Sequence, residues 1–164
     1  MVLYVVRHAW AVEPGDPAAL TDHDRPLTKE GRKRFADVVR RLVARGVAPE
    51  VIATSPLVRC RQTAEILAEE SNRAARVVPF DALAPESDLA KLVAWTNAQA
   101  AGSRQLAWVG HAPDVGQLTA ALVGDGRAAI HFGKGAVAAV EFDGPVRPAR
   151  GELLWLVSPK ILGC

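Results

Sequence analysis

The sequence predicts an α/β fold: a three-layer α/β/α sandwich with a mostly parallel central sheet and an antiparallel edge strand. Short runs of apolar and β-branched residues alternate along the chain with longer segments in which apolar residues recur at helical spacing. Such alternation is typical of a parallel sheet covered by helices on both faces. Near the end, two strand-like runs are separated only by residues 144–151, a turn rich in glycine and proline, which predicts an antiparallel hairpin at the end of the sheet.

Length and composition indicate one globular unit. The 164 residues fit one ordinary domain and their hydrophobic content of 49% is enough to build its core, so we expect a single domain over residues 1–164. The 20 basic and 18 acidic side chains are scattered along the chain and leave a net charge of +2. This pattern indicates neither a nucleic acid nor an anionic membrane as a partner.

The apolar runs and the cysteines of the sequence indicate the cellular compartment in which we expect the protein. The longest apolar runs, such as residues 2–6 and 136–140, are too short to span a bilayer or to form the core of a signal peptide. Cys60 and Cys164 are too few and too far apart to indicate a disulfide framework. We therefore expect a soluble, cytoplasmic protein in which Cys60 is a small core residue.

The first strand-to-helix unit occupies the first 46 residues. Residues 2–6 form a β-branched run that predicts a buried parallel strand. A polar loop over about 12–27 follows, and Thr28 can cap a helix that Gly46 ends.

The second unit repeats this switch from strand to helix. Residues 51–54 predict a strand, after which Ser55 can be the N-cap and Pro56 the first residue of a helix. The remaining predicted elements are a strand at 76–80, a helix from Ser87 to about Ala101, a strand at 106–109, a helix from Pro113 to about Val123, and hairpin strands at 135–142 and 153–157.

Ionisable residues follow three of the predicted strands. Arg7 and His8 come directly after the first strand, Arg59 lies in the first turn of the helix after the second, and His111 follows the strand at 106–109. Each has an ordinary structural explanation when taken alone, as a solvated strand end, an exposed helical arginine or a core histidine. Together they point to a ligand site, because ligands in open α/β sheets bind beyond the carboxyl ends of the strands. A helix N-terminus beside Arg59 favours an anion.

The segments that carry these residues resemble a known family. Residues 3–11, 25–31, 55–64 and 109–111 are similar, in order and spacing, to the signature blocks of the histidine phosphatase superfamily, which has the phosphoglycerate mutase-like fold. The short chain, the Arg-Pro-Leu-Thr block and the ending at 155–160 most resemble the SixA-like phosphohistidine phosphatases.

This resemblance implies a role for each of the four residues. It implies a nucleophile at His8, phosphate-binding arginines at Arg7 and Arg59, and a second catalytic histidine at His111. Ala9 stands where many members have glycine, so we expect a backbone without positive φ there. Because two arginines lie nearby, we also expect like-charge repulsion to lower the pKa of His8.

For the general acid, the sequence leaves three possibilities: Glu86, Asp88 or no acid at all. Larger mutase-like relatives have a glutamate soon after a leucine in this region, where this chain reads Leu83-Ala84-Pro85-Glu86. Glu86 is the first candidate for a proton donor and Asp88 the second, but either can instead cap the helix that begins near Ser87.

Two further residues are candidates for contact with a substrate. Arg25 can touch the substrate or pair with Asp22 or Asp24, and the structural role is favoured. Trp10 follows the proposed nucleophile closely and can form a wall of the pocket. The four histidines lack the close spacing of a zinc motif, so we expect neither a metal nor another cofactor.

The function predicted from these features is hydrolysis of phosphohistidine on a protein through a covalent intermediate on His8. A weak acid favours this substrate, because transfer of a phosphoryl group between two imidazoles is nearly symmetric, whereas an alkoxide leaving group needs a proton. Little chain remains for a large lid, so an open pocket can admit a protein surface. The alternatives are a phosphomonoesterase that acts on a small phosphorylated metabolite and a noncatalytic phosphate-binding protein.

Overall fold

The computed structural model describes residues 1–100 and 102–164. Its six strands are β1 Val2–Arg7, β2 Val51–Thr54, β3 Arg76–Pro79, β4 Gln105–Gly110, β5 Val137–Glu141 and β6 Glu152–Val157. Its helices are α1 Lys29–Val43, α2 Val58–Ser71, α3 Leu89–Gln99 and α4 Asp114–Val123, with a 3₁₀ turn at Asp81–Leu83. Within the described ranges, none of the helices has the length and apolar character needed to cross a bilayer.

The strands form one mostly parallel sheet in the order β3-β2-β4-β1-β5-β6. Strands β1 to β4 run parallel, with β1 paired to β4 and β4 paired to β2. Strand β5 runs antiparallel to β1, and β6 at the edge runs antiparallel to β5. The predicted α/β class and its hairpin at the end of the sheet are confirmed.

Side chains that alternate along each strand supply two separate cores. In β1, Tyr4 and Val6 pack with Phe35 of α1 on one face of the sheet, while Leu3 and Val5 face the other side. That second core includes Leu92 of α3, Trp108 of β4 and Leu118 of α4. Burial on both faces explains why the central strands are almost continuously apolar, and it makes the fold the expected three-layer sandwich.

The predicted helix starts are correct at α1 and need correction at α2 and α3. The Thr28 hydroxyl accepts a hydrogen bond from the Gly31 N–H at 2.9 Å, as an N-cap does. Helix α2 begins at Val58, two residues later than expected, and Ser55 does not cap it. Helix α3 begins at Leu89 rather than near Ser87, and Asp88, one of the two possible caps, is its N-cap. Its predicted end near Ala101 lies outside the described residues.

Candidate active site

One cavity brings together the four ionisable residues that follow the strands. Arg7, His8, Arg59 and His111 all line it, and its volume is about 970 Å³. Strands β1 and β4 are parallel neighbours in which Arg7 is paired with Gly110, so His8 and His111 leave the sheet side by side. Their ring centroids lie 5.4 Å apart. The predicted meeting of three chain segments at one sheet edge is what the structure shows.

The backbone around His8 fixes the tautomer of its ring. Nδ1 of His8 lies 2.7 Å from the carbonyl oxygen of Ala9. Since a carbonyl oxygen can only accept, Nδ1 carries the proton and Nε2 keeps its lone pair. Ala9 itself is buried, donates its N–H to the Thr63 hydroxyl at 3.0 Å, and is not among the described residues with positive φ, as expected.

Both histidines of the cavity are held neutral. The pKa of His8 is lowered from its ordinary 6.5 to about 3, mainly by burial and to a smaller extent by the charges of His111, Arg59 and Arg7, although the hydrogen bond to Ala9 acts to raise it. The pKa of His111 is lowered to about 4, mainly by burial and next by the charge of Arg59. The predicted direction for His8 is correct and the predicted repulsion by the arginines contributes to it, but burial, which the sequence did not indicate, is the larger cause.

These shifts predict a pH dependence of stability. Below pH 6.5 the unfolded chain binds protons at His8 and His111 that the folded chain does not, so their contribution to stability is complete above pH 6.5 and is lost as the pH falls toward about 4 and then 3. We expect urea titrations to give a lower free energy of unfolding at about pH 5 than at about pH 7.5. The decrease will be smaller in His8→Ala, and an equal decrease in both proteins would contradict the assignment.

The two arginines share a pattern of hydrogen bonds. Nη1 of Arg7 donates to the carbonyl oxygen of Phe132 and Nη1 of Arg59 to that of Asp22, both at 2.7 Å. In each guanidinium group the Nε atom is buried and has no hydrogen-bond partner. Leaving a buried donor unpaired is unfavourable, so a hydrogen-bond acceptor such as an anion in the cavity would stabilise these two groups.

His111 has two partners whose role the sequence analysis missed. Its Nε2 lies 2.8 Å from the Ser55 hydroxyl and 3.4 Å from Sγ of Cys60. Burial raises the pKa of the Cys60 thiol to about 12, so the sulfur stays neutral. Cys60 is buried as expected, but it and Ser55 also fix the His111 ring. The signal available in the sequence was their position beside Arg59: Ser55 follows the end of β2, and Cys60 lies next to Arg59 in the first turn of α2.

The two candidate acids occupy different positions. Asp88 caps α3, because its carboxylate accepts from the Lys91 backbone N–H at 3.1 Å and also pairs with the Lys91 ammonium group at 3.1 Å. Glu86 does not cap the helix but lines the cavity, with a backbone φ of 70°. A positive φ is uncommon for glutamate and marks a constrained turn.

A buried aspartate that the sequence analysis missed holds this turn. Oδ2 of Asp114 accepts from the backbone N–H of Ser87 at 3.0 Å and from its hydroxyl at 3.1 Å. Asp114 is the first residue of α4 and lines the cavity. Its position three residues after His111 was the signal that could have identified it.

Of the two other predicted substrate contacts, one lines the cavity and one does not. Arg25 lines it, but its Nη1 donates to Asp22 at 2.6 Å, as the favoured structural role requires. Trp10 is not among the residues that line it, so the expected wall role is wrong; the Trp10 ring instead packs under the Arg34 guanidinium group, whose Cζ lies 4.0 Å from the ring centroid. Lys134 lines the cavity and pairs with Glu13 at 3.3 Å, a contact the sequence did not indicate.

An α/β/α sandwich that gathers two imidazoles and two guanidinium groups at the carboxyl ends of parallel strands is the architecture of a phosphatase of the histidine type. The sequence model of the histidine phosphatase superfamily (branch 1) matches residues 3–124. The chain therefore belongs to the histidine phosphatase superfamily, and within it the chain is SixA-like.

Solved structures agree with this membership, and the chain also has a relative of similar sequence. The protein histidine phosphatase SixA complexed with tungstate is 28% identical, covers 99% of both chains and superposes with a TM-score of 0.85. The SixA protein of Nakamurella multipartitia, a proposed phosphohistidine phosphatase, is 26% identical, with 96% of this chain and 95% of that chain covered and a TM-score of 0.78. An uncharacterized protein of Picosynechococcus sp. is 43% identical over 127 residues, which are 74% of this chain and 73% of the relative.

Proposed function

We propose that this phosphatase hydrolyses phosphohistidine on a protein substrate through a covalent phosphohistidine intermediate on His8. The observation that carries the proposal is the state of His8: its Nδ1–H is engaged by Ala9, and its free Nε2 shares a cavity with Arg7 and Arg59. The likeness to the protein histidine phosphatase SixA supports the choice of substrate. Residues from both halves of the chain line the cavity, which supports a single domain over residues 1–164.

In the first step, the lone pair on Nε2 of His8 attacks the phosphorus atom of the substrate in line with the leaving nitrogen. The N–P bond to His8 forms as the P–N bond to the substrate imidazole breaks, and the bonding electron pair stays with that imidazole, which takes up a proton from solvent. Negative charge spreads over the three equatorial oxygens, and the unpaired N–H groups of Arg7 and Arg59 and a ring N–H of His111 stabilise it.

In the second step, water attacks the phosphorus atom of phosphorylated His8. The N–P bond breaks, its electron pair returns to Nε2, and inorganic phosphate leaves with the oxygen of the water. The water protons pass to phosphate and solvent. His8 is then neutral again, which its buried environment favours because desolvation disfavours the imidazolium form.

Glu86 is the proton donor that we propose for leaving groups that need one. It lines the cavity in a turn whose neighbour Ser87 is fixed by Asp114, whereas Asp88 is engaged in capping. An imidazole leaves readily from a near-symmetric transfer, but an alkoxide does not. Removing the Glu86 carboxyl therefore affects phosphate monoesters more than phosphohistidine.

A substrate comparison tests this proposal. We expect wild-type protein to dephosphorylate a protein phosphorylated on histidine faster than a panel of sugar and nucleotide monophosphates. We expect Glu86→Gln to lower kcat/KM on the monoesters by about a hundredfold or more, with less effect on the phosphohistidine protein. Asp88→Asn is the matched control, since asparagine also caps helices and should leave both rates unchanged.

The same assay decides between the alternatives. A small-metabolite phosphomonoesterase is favoured by the size of the cavity, about 970 Å³, and by the apolar side chains of Leu89 and Leu118 in its lining, both of which suit a small organic molecule. Faster turnover of the monoesters than of the phosphohistidine protein would establish the phosphomonoesterase function. Binding of phosphate without any label on His8 would instead indicate a noncatalytic phosphate-binding protein.

A further inference from the structure

The guanidinium group of Arg59 is buried and depends on a carboxylate from a distant loop. The Arg59 side chain is only 7% exposed, and a charge so buried is stable only when it is paired and hydrogen-bonded. Asp22 supplies both partners: its backbone carbonyl accepts from Nη1 at 2.7 Å and its Oδ2 accepts from Nη2 at 3.0 Å. Across residues 1–100 and 102–164, Asp22 is the one carboxylate within ion-pair distance of Arg59.

Asp22 is itself held in place from two directions. Its Oδ1 accepts from Nη1 of Arg25 at 2.6 Å, and Nε of Arg25 donates to the carbonyl oxygen of Val12 at 2.8 Å. The carbonyl oxygen of His23 accepts from the Val58 N–H at 3.1 Å, which ties the loop to the first turn of α2. Partial burial raises the pKa of Asp22, but hydrogen bonds to Arg25 and Arg59 hold it below its ordinary value, so the group is a carboxylate.

Asp22 contacts the Arg59 guanidinium group at its end, which carries Nη1 and Nη2, and leaves its side, which carries Nε–H, free. Asp22 uses one N–H of Nη1 and one of Nη2, so the unpaired Nε–H and the second N–H of each Nη atom remain as donors for a ligand. Arg7 has the same arrangement, with Nη1 bound to Phe132 and Nε unpaired. Two arginines built alike, each anchored at the end and free at the side, suit lateral hydrogen bonding to phosphoryl oxygens.

We infer that Asp22 is a positioning residue that holds Arg59 with its Nε–H free for the phosphoryl group, and that Arg25 acts as a brace for Asp22. This inference rests on the proposed function and deepens it. It assigns Arg25 to the support of the site rather than to the substrate. A carboxylate near an anion site also repels the anion, but the Asp22 side chain is 58% exposed, so water screens this repulsion.

Substitutions in the loop test the inference. We expect Asp22→Ala to lower kcat/KM on the phosphohistidine protein by about tenfold to a hundredfold, because a displaced catalytic group loses about that much. Asp22→Asn keeps the backbone carbonyl and one of the two side-chain oxygens but turns an NH2 donor toward Arg25 or Arg59, so its loss should be smaller than that of Asp22→Ala without being absent. Asp24→Ala is the matched control: Asp24 is half-exposed in the same loop but bonds to Thr21 and His23, so its loss should leave kcat/KM unchanged.

A double-mutant cycle separates positioning from general support of the loop. If Asp22 acts through Arg59, Asp22→Ala has no further effect in an Arg59→Ala background, whereas a structural role would lower the rate by the same factor in both backgrounds. Undiminished or raised activity of Asp22→Ala, or equal effects in the two backgrounds, would overturn the inference. Should Asp22→Ala fail to fold in melting experiments, the cycle is measured with Asp22→Asn.

Binding of tungstate, followed by calorimetry, keeps this test independent of turnover. We expect Asp22→Ala to weaken tungstate binding by about tenfold in wild-type protein and not in Arg59→Ala. If Asp22→Ala weakens tungstate binding only when Arg59 is present, but wild-type protein is never labelled on His8, the proposed function is refuted and the inference about Asp22 stands. If His8 is labelled but Asp22→Ala weakens tungstate binding equally with and without Arg59, the inference is refuted and the proposed function stands.

Discussion

His8→Ala is expected to abolish both turnover and covalent labelling of the protein. The substitution removes the lone pair on Nε2 of His8, which is free for attack because Nδ1 is bound to Ala9. His111 does not replace it, since its Nε2 is engaged by the Ser55 hydroxyl at 2.8 Å. The measurement is a steady-state assay on a protein phosphorylated on histidine, together with detection of an acid-labile phosphate on the enzyme.

Two controls distinguish loss of the nucleophile from loss of the fold. His8→Ala keeps both arginines, so the variant should still bind tungstate with affinity within about tenfold of wild type, since the loss of one neutral contact is worth about that much. His131→Ala removes an exposed histidine that does not line the cavity and should retain full activity. Activity of His8→Ala near that of wild type would refute the covalent mechanism.

The fold and the central residues of the site could be predicted from the sequence, because both follow from local sequence patterns. Alternating buried strands and helices specify the sandwich, and parallel strands expose their carboxyl ends at one edge. Arg7, His8 and His111 therefore had to emerge there, and Arg59 in the first turn of α2 had to accompany them. The cap at Thr28 was predicted from an equally local pattern.

The contacts that support the site could not be predicted from the sequence, because they join segments that no local sequence pattern relates. The bond from Arg59 to Asp22 spans 37 residues and that from Ser87 to Asp114 spans 27. The sequence also could not decide between Glu86 and Asp88, since both precede a helix, whereas the structure gives the capping bond to Asp88 alone. Burial dominates the pKa of His8 for the same reason: desolvation depends on tertiary packing.

Arg59→Ala is expected to cost about 3 to 4 kcal/mol of transition-state stabilisation, as the loss of comparable oxyanion donors does, and to lower kcat/KM by roughly two to three orders of magnitude. The expected loss is large because Arg59 is buried, where a charged donor acts in a low dielectric. Arg59→Lys should recover only part of it, since an ammonium group keeps the charge but cannot bind Asp22 and a phosphoryl oxygen through one planar fork.

Arg61 provides the matched control for this prediction, because it lies two residues further along α2, is exposed, and does not line the cavity. Arg61→Ala should leave kcat/KM within about twofold of wild type, as surface substitutions away from a site usually do. Melting temperatures of the three variants show whether any loss reflects unfolding. If folded Arg59→Ala keeps kcat/KM within tenfold of wild type, about 1.4 kcal/mol, the developing charge is stabilised elsewhere in the cavity, and the unpaired Nε–H of Arg59 is not the donor that the transition state uses.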